Sequence, residues 1–142
     1  MSHMSRARRV LSAVAVAGTA TAALLAAAPG ASAVAQAAYN GACGSGYSVV
    51  NSAPVGNKGT AYLTYSSSTG KNCLVMIRNL SGDPVPMELY LNASGDEIHD
   101  NYDSGTYRSY AGPLYLSAKG RCVDWYGRLD GVWFGENGTN CG

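Results

Sequence analysis

The chain contains few residues that could carry out acid–base or nucleophilic catalysis. His99 is the only histidine after residue 33, and it stands in the strongly polar segment 95–103. A serine triad needs a histidine base beside an activated nucleophile, but no Gly-x-Ser-x-Gly elbow occurs in the sequence. We therefore interpret His99 as a solvated loop residue, and we expect neither a catalytic residue nor a cofactor.

The same polar segment carries oxygen ligands of the kind that calcium prefers. The ligand spacing of an EF-hand loop, with its sixth-position glycine and its twelfth-position glutamate, is not reproduced. We expect a solvated acidic loop without a metal, and an irregular calcium site is the alternative. The five candidate ligands are Asp96, Glu97, Asp100, Asn101 and Asp103.

Paired carboxylates for glycoside hydrolysis would have to face each other across a cleft. Glu88, Asp124 and Glu136 are the acidic residues nearest to aromatic residues in the sequence. Nothing in their spacing selects a pair, and a chain of this size offers little room for a substrate cleft. The sequence therefore favours a protein that is not an enzyme.

Four cysteines follow residue 33, at Cys43, Cys73, Cys122 and Cys141. Their separations of 30, 49 and 19 positions do not resemble the close ligand pairs of zinc sites. In an oxidising compartment they would pair, which leaves no free thiolate for a cysteine protease. Three pairings are possible, and we favour Cys43–Cys73 with Cys122–Cys141 because each would close a local β unit.

Aromatic residues are the unusual feature of the composition, with ten Tyr, two Trp and one Phe, all after residue 33. Trp125-Tyr126 and Trp133-Phe134 flank a Gly127–Gly131 segment, as in two arms of a hairpin. If Trp125, Tyr126 and Trp133 project outward together, they form a platform for sugar rings or for a protein partner. The alternative is that these residues simply favour strands and fill the core.

The first 33 residues have the pattern of a secretory signal peptide. Arg6, Arg8 and Arg9 precede an apolar run from Val10 to Ala28, and Ala31-Ser32-Ala33 is a small-residue cleavage pattern. The run is mostly alanine and poor in the large apolar residues of a retained membrane anchor. We predict a cleaved leader over 1–33 and an exported single β domain over 34–142.

Cleavage changes the charge balance. Three of the ten basic residues lie in the predicted leader, so seven basic residues face nine acidic ones and the net charge is −2. The seven are dispersed, and without a basic stripe nucleic acid is a poor partner. No second apolar stretch reaches the length of a membrane span, and the oligomeric state is left open.

The rest of the chain lacks helical periodicity and alternates short strand-like runs with turn residues. Cys73 to Arg78 is continuously apolar, which predicts a central strand buried on both faces. Met87, Leu89 and Leu91 alternate with polar residues, which predicts a half-buried strand. We expect six to eight antiparallel strands in a small disulfide-stapled sandwich or barrel. Further strands are expected at 47–50, 60–65, 106–110, 114–118, 122–126 and 132–134, with breaks at 51–54, 80–86 and 92–104.

Three stretches and the cysteine set carry a resemblance to a known family. The chain resembles the spore-associated protein A family of filamentous, sporulating actinobacteria, over nearly all of 34–142. The resemblance implies an exported protein found with spores or aerial structures, and it supplies no catalytic residue. The matching stretches are 38–47 (AYNGACGSGY) with 49–52 (VVNS), 62–65 (YLTY) with 70–73 (GKNC), and 110–113 (YAGP) with 120–125 (GRCVDW).

These observations lead to two functional hypotheses. The first is a non-enzymatic, exported structural or surface-associated protein whose partner is the spore or cell-envelope surface. The alternative is a secreted binding module that recognises a cell-wall glycan or a protein target through the hairpin that carries Trp125, Tyr126 and Trp133.

Overall fold

The computed structural model describes residues 34–142, which form eight β-strands. Within these residues, no helix is long and apolar enough to cross a membrane. The predicted leader, residues 1–33, lies outside the described part of the chain. The strands are β1 (Ser48–Val55), β2 (Gly59–Ser66), β3 (Lys71–Arg78), β4 (Val85–Ala93), β5 (Tyr102–Tyr107), β6 (Tyr110–Ser117), β7 (Val123–Leu129) and β8 (Val132–Thr139).

The strands form two antiparallel sheets that pack against each other. Sheet A has the order β1-β2-β3-β6, and sheet B has the order β5-β4-β7-β8. The chain returns from sheet B to sheet A at the turn between β5 and β6. Arg78 holds this corner, because its guanidinium donates hydrogen bonds to the carbonyls of Tyr107 and Arg108. The predicted fold class, a small all-β sandwich stapled by disulfides, is confirmed.

The inward residues of both sheets form one core. Strand residues alternate between faces, so Leu63 and Leu74 from sheet A meet Leu89 and Trp125 from sheet B in a single buried cluster. Trp125 is fully buried, and its indole N–H donates to Thr139 Oγ1 at 2.8 Å. The large ring therefore fills the interior with its one polar atom satisfied.

Two strands pass through prolines where the sequence predicts a break. β1 runs on through Pro54 to Val55, because an edge strand needs no backbone donor on its open side. β4 begins at Val85, so Pro86 is its second residue, a position near the strand end that tolerates a missing donor. The predicted breaks at 51–54 and at the end of 80–86 are wrong for this reason.

The region between β4 and β6 also differs from the prediction. β5 begins at Tyr102, inside the expected polar connection of 92–104. The expected strand at 106–110 is divided: residues 106–107 end β5, residues 108–109 form the turn, and Tyr110 begins β6. The hydrogen bonds from Arg78 to the carbonyls of Tyr107 and Arg108 determine where the turn forms. The alternation of residue types in the sequence does not reveal these bonds. β4 itself extends to Ala93.

The outer face of sheet A is covered by the segment that precedes β1. Cys43 of this segment is bonded to Cys73 of β3, and both are buried. The segment packs on Val75 and Ile77, which lie on the outer face of β3. This cover explains why β3 is buried on both faces, as its continuous apolar sequence predicts. The second disulfide is Cys122–Cys141, so the favoured pairing is the one that forms.

Candidate binding surface

Three tyrosines form a stacked row across the outer face of sheet B. Tyr102 of β5, Tyr90 of β4 and Tyr126 of β7 are neighbours in the strand register. The rings of Tyr102 and Tyr90 are 5.7 Å apart between centroids, and those of Tyr90 and Tyr126 are 4.9 Å apart and nearly parallel, at 12°. We call these three residues the tyrosine row.

Strand alternation places these rings on the outside. Tyr90 lies between the buried Leu89 and Leu91, and Tyr126 lies between Trp125 and Gly127, which face inward. Tyr102, on the edge strand, is 56% exposed. Cross-strand aromatic pairs stabilise a sheet, yet here one end of the row remains open to solvent.

A second row of residues lies beside the tyrosine row on the same face. Glu88 of β4 pairs with Arg128 of β7, whose partner on β8 is Trp133. The Glu88 carboxylate accepts a hydrogen bond from the Arg128 guanidinium at 2.6 Å. The guanidinium also lies 5.2 Å from the centre of the Trp133 ring, in cation–π geometry. We call Glu88, Arg128 and Trp133 the charged row.

The structure corrects the predicted platform. Tyr126 faces outward and Trp133 is 60% exposed, but Trp125 has no exposed surface and belongs to the core. The physical reason is that Trp125 and Tyr126 are adjacent in one strand, so their side chains point to opposite faces. Trp125 is therefore excluded from any binding surface.

Sequence reasoning missed two members of the tyrosine row. Tyr90 alternates with Leu89 and Leu91, so its outward direction could have been read from the strand pattern. The place of Tyr102 on this face could not be predicted in the same way, because the sequence before it is typical of a polar loop and not of a strand. That these two rings lie beside Tyr126 depends on the strand order β5-β4-β7, which the sequence does not reveal.

The tyrosine row also has a distinct electrostatic character. Burial raises the pKa of Tyr126, and the neighbouring Tyr90 and Asp124 raise it further. The Tyr126 hydroxyl therefore stays protonated at neutral pH, available as a hydrogen-bond donor. His99, predicted as a solvated loop residue, is exposed, and its Nδ1 lies 3.4 Å from this hydroxyl.

Three of the five candidate calcium ligands are bound to other protein groups. The Asn101 amide donates hydrogen bonds to the carbonyls of Leu91 at 2.8 Å and of Tyr115 at 3.2 Å. Asp96 forms an ion pair with Arg121 at 2.6 Å. Asp103 accepts hydrogen bonds from the Tyr107 hydroxyl and from the Gly112 amide. Among residues 34–142, no group of three or more His, Cys, Asp or Glu side chains could hold a metal ion.

The three candidate glycosidase carboxylates have different surroundings and do not form a catalytic pair. Glu88 belongs to the charged row, and Asp124 accepts hydrogen bonds from the Ser94 hydroxyl at 2.6 Å and from the Gly138 amide at 2.7 Å. Glu136 is exposed on the edge strand β8. Glu88 and Asp124 thus support strand pairing and the loops at its ends.

No protein-family model matches the chain, and no solved structure is significantly similar to it. One curated protein is closely similar: Spore-associated protein A of Streptomyces coelicolor, which is 52% identical over 128 residues, covering 88% of this chain and 82% of that protein. Such identity over most of both chains confirms the resemblance carried by the cysteines and the matching stretches. The chain belongs to the spore-associated protein A family.

Proposed function

We propose that this protein is an exported, non-enzymatic structural protein that is held at the surface of the spore or cell envelope. The observation that carries the proposal is the exposed aromatic face of sheet B, in a domain whose other face is partly covered by the segment before β1. The name of the Streptomyces coelicolor relative, the two disulfides and the leader predicted over residues 1–33 support it.

The sandwich is suited to persistence outside the cell. Two disulfides close loops of 30 and 19 residues, and such crosslinks stabilise a small domain mainly by restricting the unfolded chain. Structural disulfides of this kind belong to oxidising compartments. A domain that must remain on a surface without replacement benefits from both properties.

The tyrosine row and Trp133 supply the contact with the surface. Exposed aromatic groups that lie together on a soluble domain mark interaction sites. Tyr102 and Trp133 are more than half exposed, whereas the equivalent face of sheet A is packed under the segment that contains Cys43. Glu88 and Asp124 are engaged in protein contacts, which supports a role in binding more than in catalysis.

Localisation in the native host tests this proposal. Spores, mycelium and medium are separated, and spores are washed with salt and mild detergent before immunodetection of the protein. We expect the wild-type chain on washed spores and a Trp133→Ala, Tyr102→Ala variant largely in the wash. A Ser48→Ala variant, altered at an exposed residue of sheet A, is the matched control and should stay with the spores. Wild-type protein found entirely in the medium would contradict the proposal.

The second candidate function is a released binding module for a cell-wall glycan or a protein target. The tyrosine row favours it, because stacked rings that carry hydroxyls suit reversible recognition as well as permanent anchoring. The same fractionation separates the two functions, since a released module is recovered from the medium in active form. Titration of the secreted protein with purified cell walls should then change the emission of Trp133.

A further inference from the structure

The tyrosine row has four positions in the strand register, and only three are filled by rings. On β8, the residue that pairs with Tyr126 is Gly135. A Cβ atom placed on Gly135 would have one neighbour within 4 Å, the Cβ of Tyr126 at 3.4 Å. The backbone of Gly135 lies outside the positive-φ region that favours glycine. Neither crowding nor backbone conformation therefore requires glycine here, and its effect is to leave a space.

This space adjoins the ring of Tyr126. One face of the Tyr126 ring is covered by Tyr90 on β4, and since β8 lies on the other side of β7, the opposite face is turned toward Gly135. The His99 ring meets the Tyr126 ring at an angle of 66°, with the centroids 6.3 Å apart, and its Nδ1 lies beside the Tyr126 hydroxyl. Trp133 stands two residues before Gly135 on the same side of β8 and is largely exposed. The space is thus bordered by an aromatic ring on one side and by a second aromatic residue along the strand.

We infer that this space is a binding site for one sugar ring of a neutral glycan, stacked on Tyr126 above Gly135. The inference rests on the proposed surface function and names the chemistry of the contact. A pyranose presents C–H groups on its flat face, which suit the electron-rich face of an aromatic ring. The hydroxyl groups of the sugar lie around the edge of its ring. There the hydroxyl of Tyr126 and the side chains of the charged row supply hydrogen-bond donors and acceptors.

The charges of this face select a neutral partner. The charges of Glu88 and Arg128 compensate each other in an ion pair of 2.6 Å. Asp124, in the neighbouring row of the same face, adds a negative charge. An anionic polymer would meet no uncompensated positive group here and would be repelled by Asp124. An uncharged chain of linked pyranoses can stack on an aromatic ring and is not repelled by Asp124. Its successive rings can extend along the face toward Trp133.

Filling the space is the sharpest test. A Gly135→Val variant places a β-branched side chain over Tyr126 at a strand position that accepts it, so the fold is retained and the thermal midpoint stays equal or rises. The matched control is Ser104→Val, on the same face but on the edge strand β5 at the far side of the sheet. Chitohexaose and cellohexaose are the probes, titrated by calorimetry up to about 5 mM to reach millimolar affinities.

We expect wild-type protein to bind at least one hexasaccharide, with a change in Trp133 emission. The dissociation constant should rise about tenfold or more in Gly135→Val and should stay within about twofold in Ser104→Val. Polyglutamate, an anionic probe, should not bind. Binding of neither sugar, or unchanged affinity in Gly135→Val, overturns the inference. So does a wild-type dimer that Gly135→Val dissociates in size-exclusion chromatography, because the space would then receive a second copy.

The inference and the proposed function fail in different ways. If washed spores retain the protein while neither hexasaccharide binds, the sugar site is refuted and the surface function stands. If a hexasaccharide binds but all protein is free in the medium, the site exists and the permanent surface role is refuted.

Discussion

The two outer faces of this sandwich are both rich in tyrosine, but only one of them is covered. On sheet A, Tyr62 packs against the segment before β1, which is fixed by the disulfide between Cys43 and Cys73. On sheet B, no disulfide holds a segment over the described residues of the tyrosine row: Tyr102 and Trp133 are exposed, and Tyr90 and Tyr126 are half-buried. Tyrosine side chains thus pack against the chain itself on sheet A, whereas on sheet B some of them are exposed to solvent.

The sequence itself records this difference. β3 is buried at every position from Asn72 to Ile77, because both of its faces are packed. β4 alternates, with Met87, Leu89 and Leu91 buried and Glu88 and Tyr90 between them less so. A continuous apolar strand indicates a face that is covered, whereas alternation with polar and aromatic residues indicates a face that is in contact with water.

The largest expected effect comes from removing the cover of sheet A. In a Cys43→Ala, Cys73→Ala variant, loss of the crosslink over 30 residues lowers the free energy of unfolding by about 3.7 kcal/mol. Loss of buried sulfur and exposure of Val75 and Ile77 bring the total to about 4–5 kcal/mol. Urea denaturation, followed by the emission of the buried Trp125, measures it.

The second disulfide is the matched control for this variant. Cys141 is exposed and Cys122 is half buried, so Cys122→Ala, Cys141→Ala removes a crosslink and little packing. The expected loss is about 3.3 kcal/mol, from loop closure alone. An equal or larger loss in this control would show that the cover of sheet A contributes nothing beyond its crosslink, and the comparison of the faces would fail.

The next effect concerns the corner where the two sheets are joined. The Tyr107 hydroxyl donates to Asp103, and this bond, together with burial and the charge of Asp103, raises the pKa of Tyr107 to about 12. The folded protein then holds this proton more tightly than the unfolded chain, whose tyrosine pKa is about 10. The stabilisation is complete below pH 10 and is lost as the pH rises from about 10 to about 12.

Tyr107→Phe should therefore lower the free energy of unfolding by about 2 kcal/mol at pH 8, the usual contribution of a hydrogen bond to a charged group. It should also flatten the alkaline decline measured by urea denaturation at stepwise pH. A smaller decline persists, because burial raises the pKa of Tyr115 and of Tyr126 as well. A Tyr107→Phe profile parallel to that of the wild type up to pH 12 would contradict this assignment.

A pair of smaller changes compares tyrosine hydroxyls on the two faces directly. The Tyr62 hydroxyl donates to the carbonyl of Ala37 at 2.6 Å and helps to hold the cover. Tyr62→Phe should cost about 1 kcal/mol and should speed hydrogen exchange at the amides of Ala37 and Cys43. Tyr90→Phe keeps the stacked ring of the open face and should cost less than about 0.5 kcal/mol. Equal losses in the two variants would mean that the open face is structural too.

Most of the fold could be predicted from residue patterns, because strand alternation and turn residues are local signals. The buried β3 and the half-buried β4 are examples. The predicted strand bounds were wrong where contacts between residues far apart in sequence determine the structure. The turn at Arg108 depends on Arg78, thirty positions away, and β1 passes through Pro54 only because it is an edge strand.

The candidate surface was less predictable for the same reason. The sequence indicated Tyr126 and Trp133, which lie on one hairpin, and wrongly added Trp125, although adjacent strand residues cannot share a face. Tyr90 and Tyr102 join the surface through strand order, which no local pattern encodes. The empty position at Gly135 was beyond sequence reasoning altogether, because its meaning depends on the ring of Tyr126 across the sheet.

The smallest expected change in stability comes from the most exposed ring of the open face. Trp133 contacts the Arg128 guanidinium, and an exposed cation–π contact contributes about 0.5 kcal/mol. Trp133→Ala should therefore leave the free energy of unfolding within about 0.5 kcal/mol of the wild type while reducing retention on spores. Trp125→Ala, in contrast, removes a buried ring and should cost about 4 kcal/mol. If Trp133→Ala were as destabilising as that core variant, the ring would belong to the structure of the domain, and the open face would lose its claim to be a surface kept for binding.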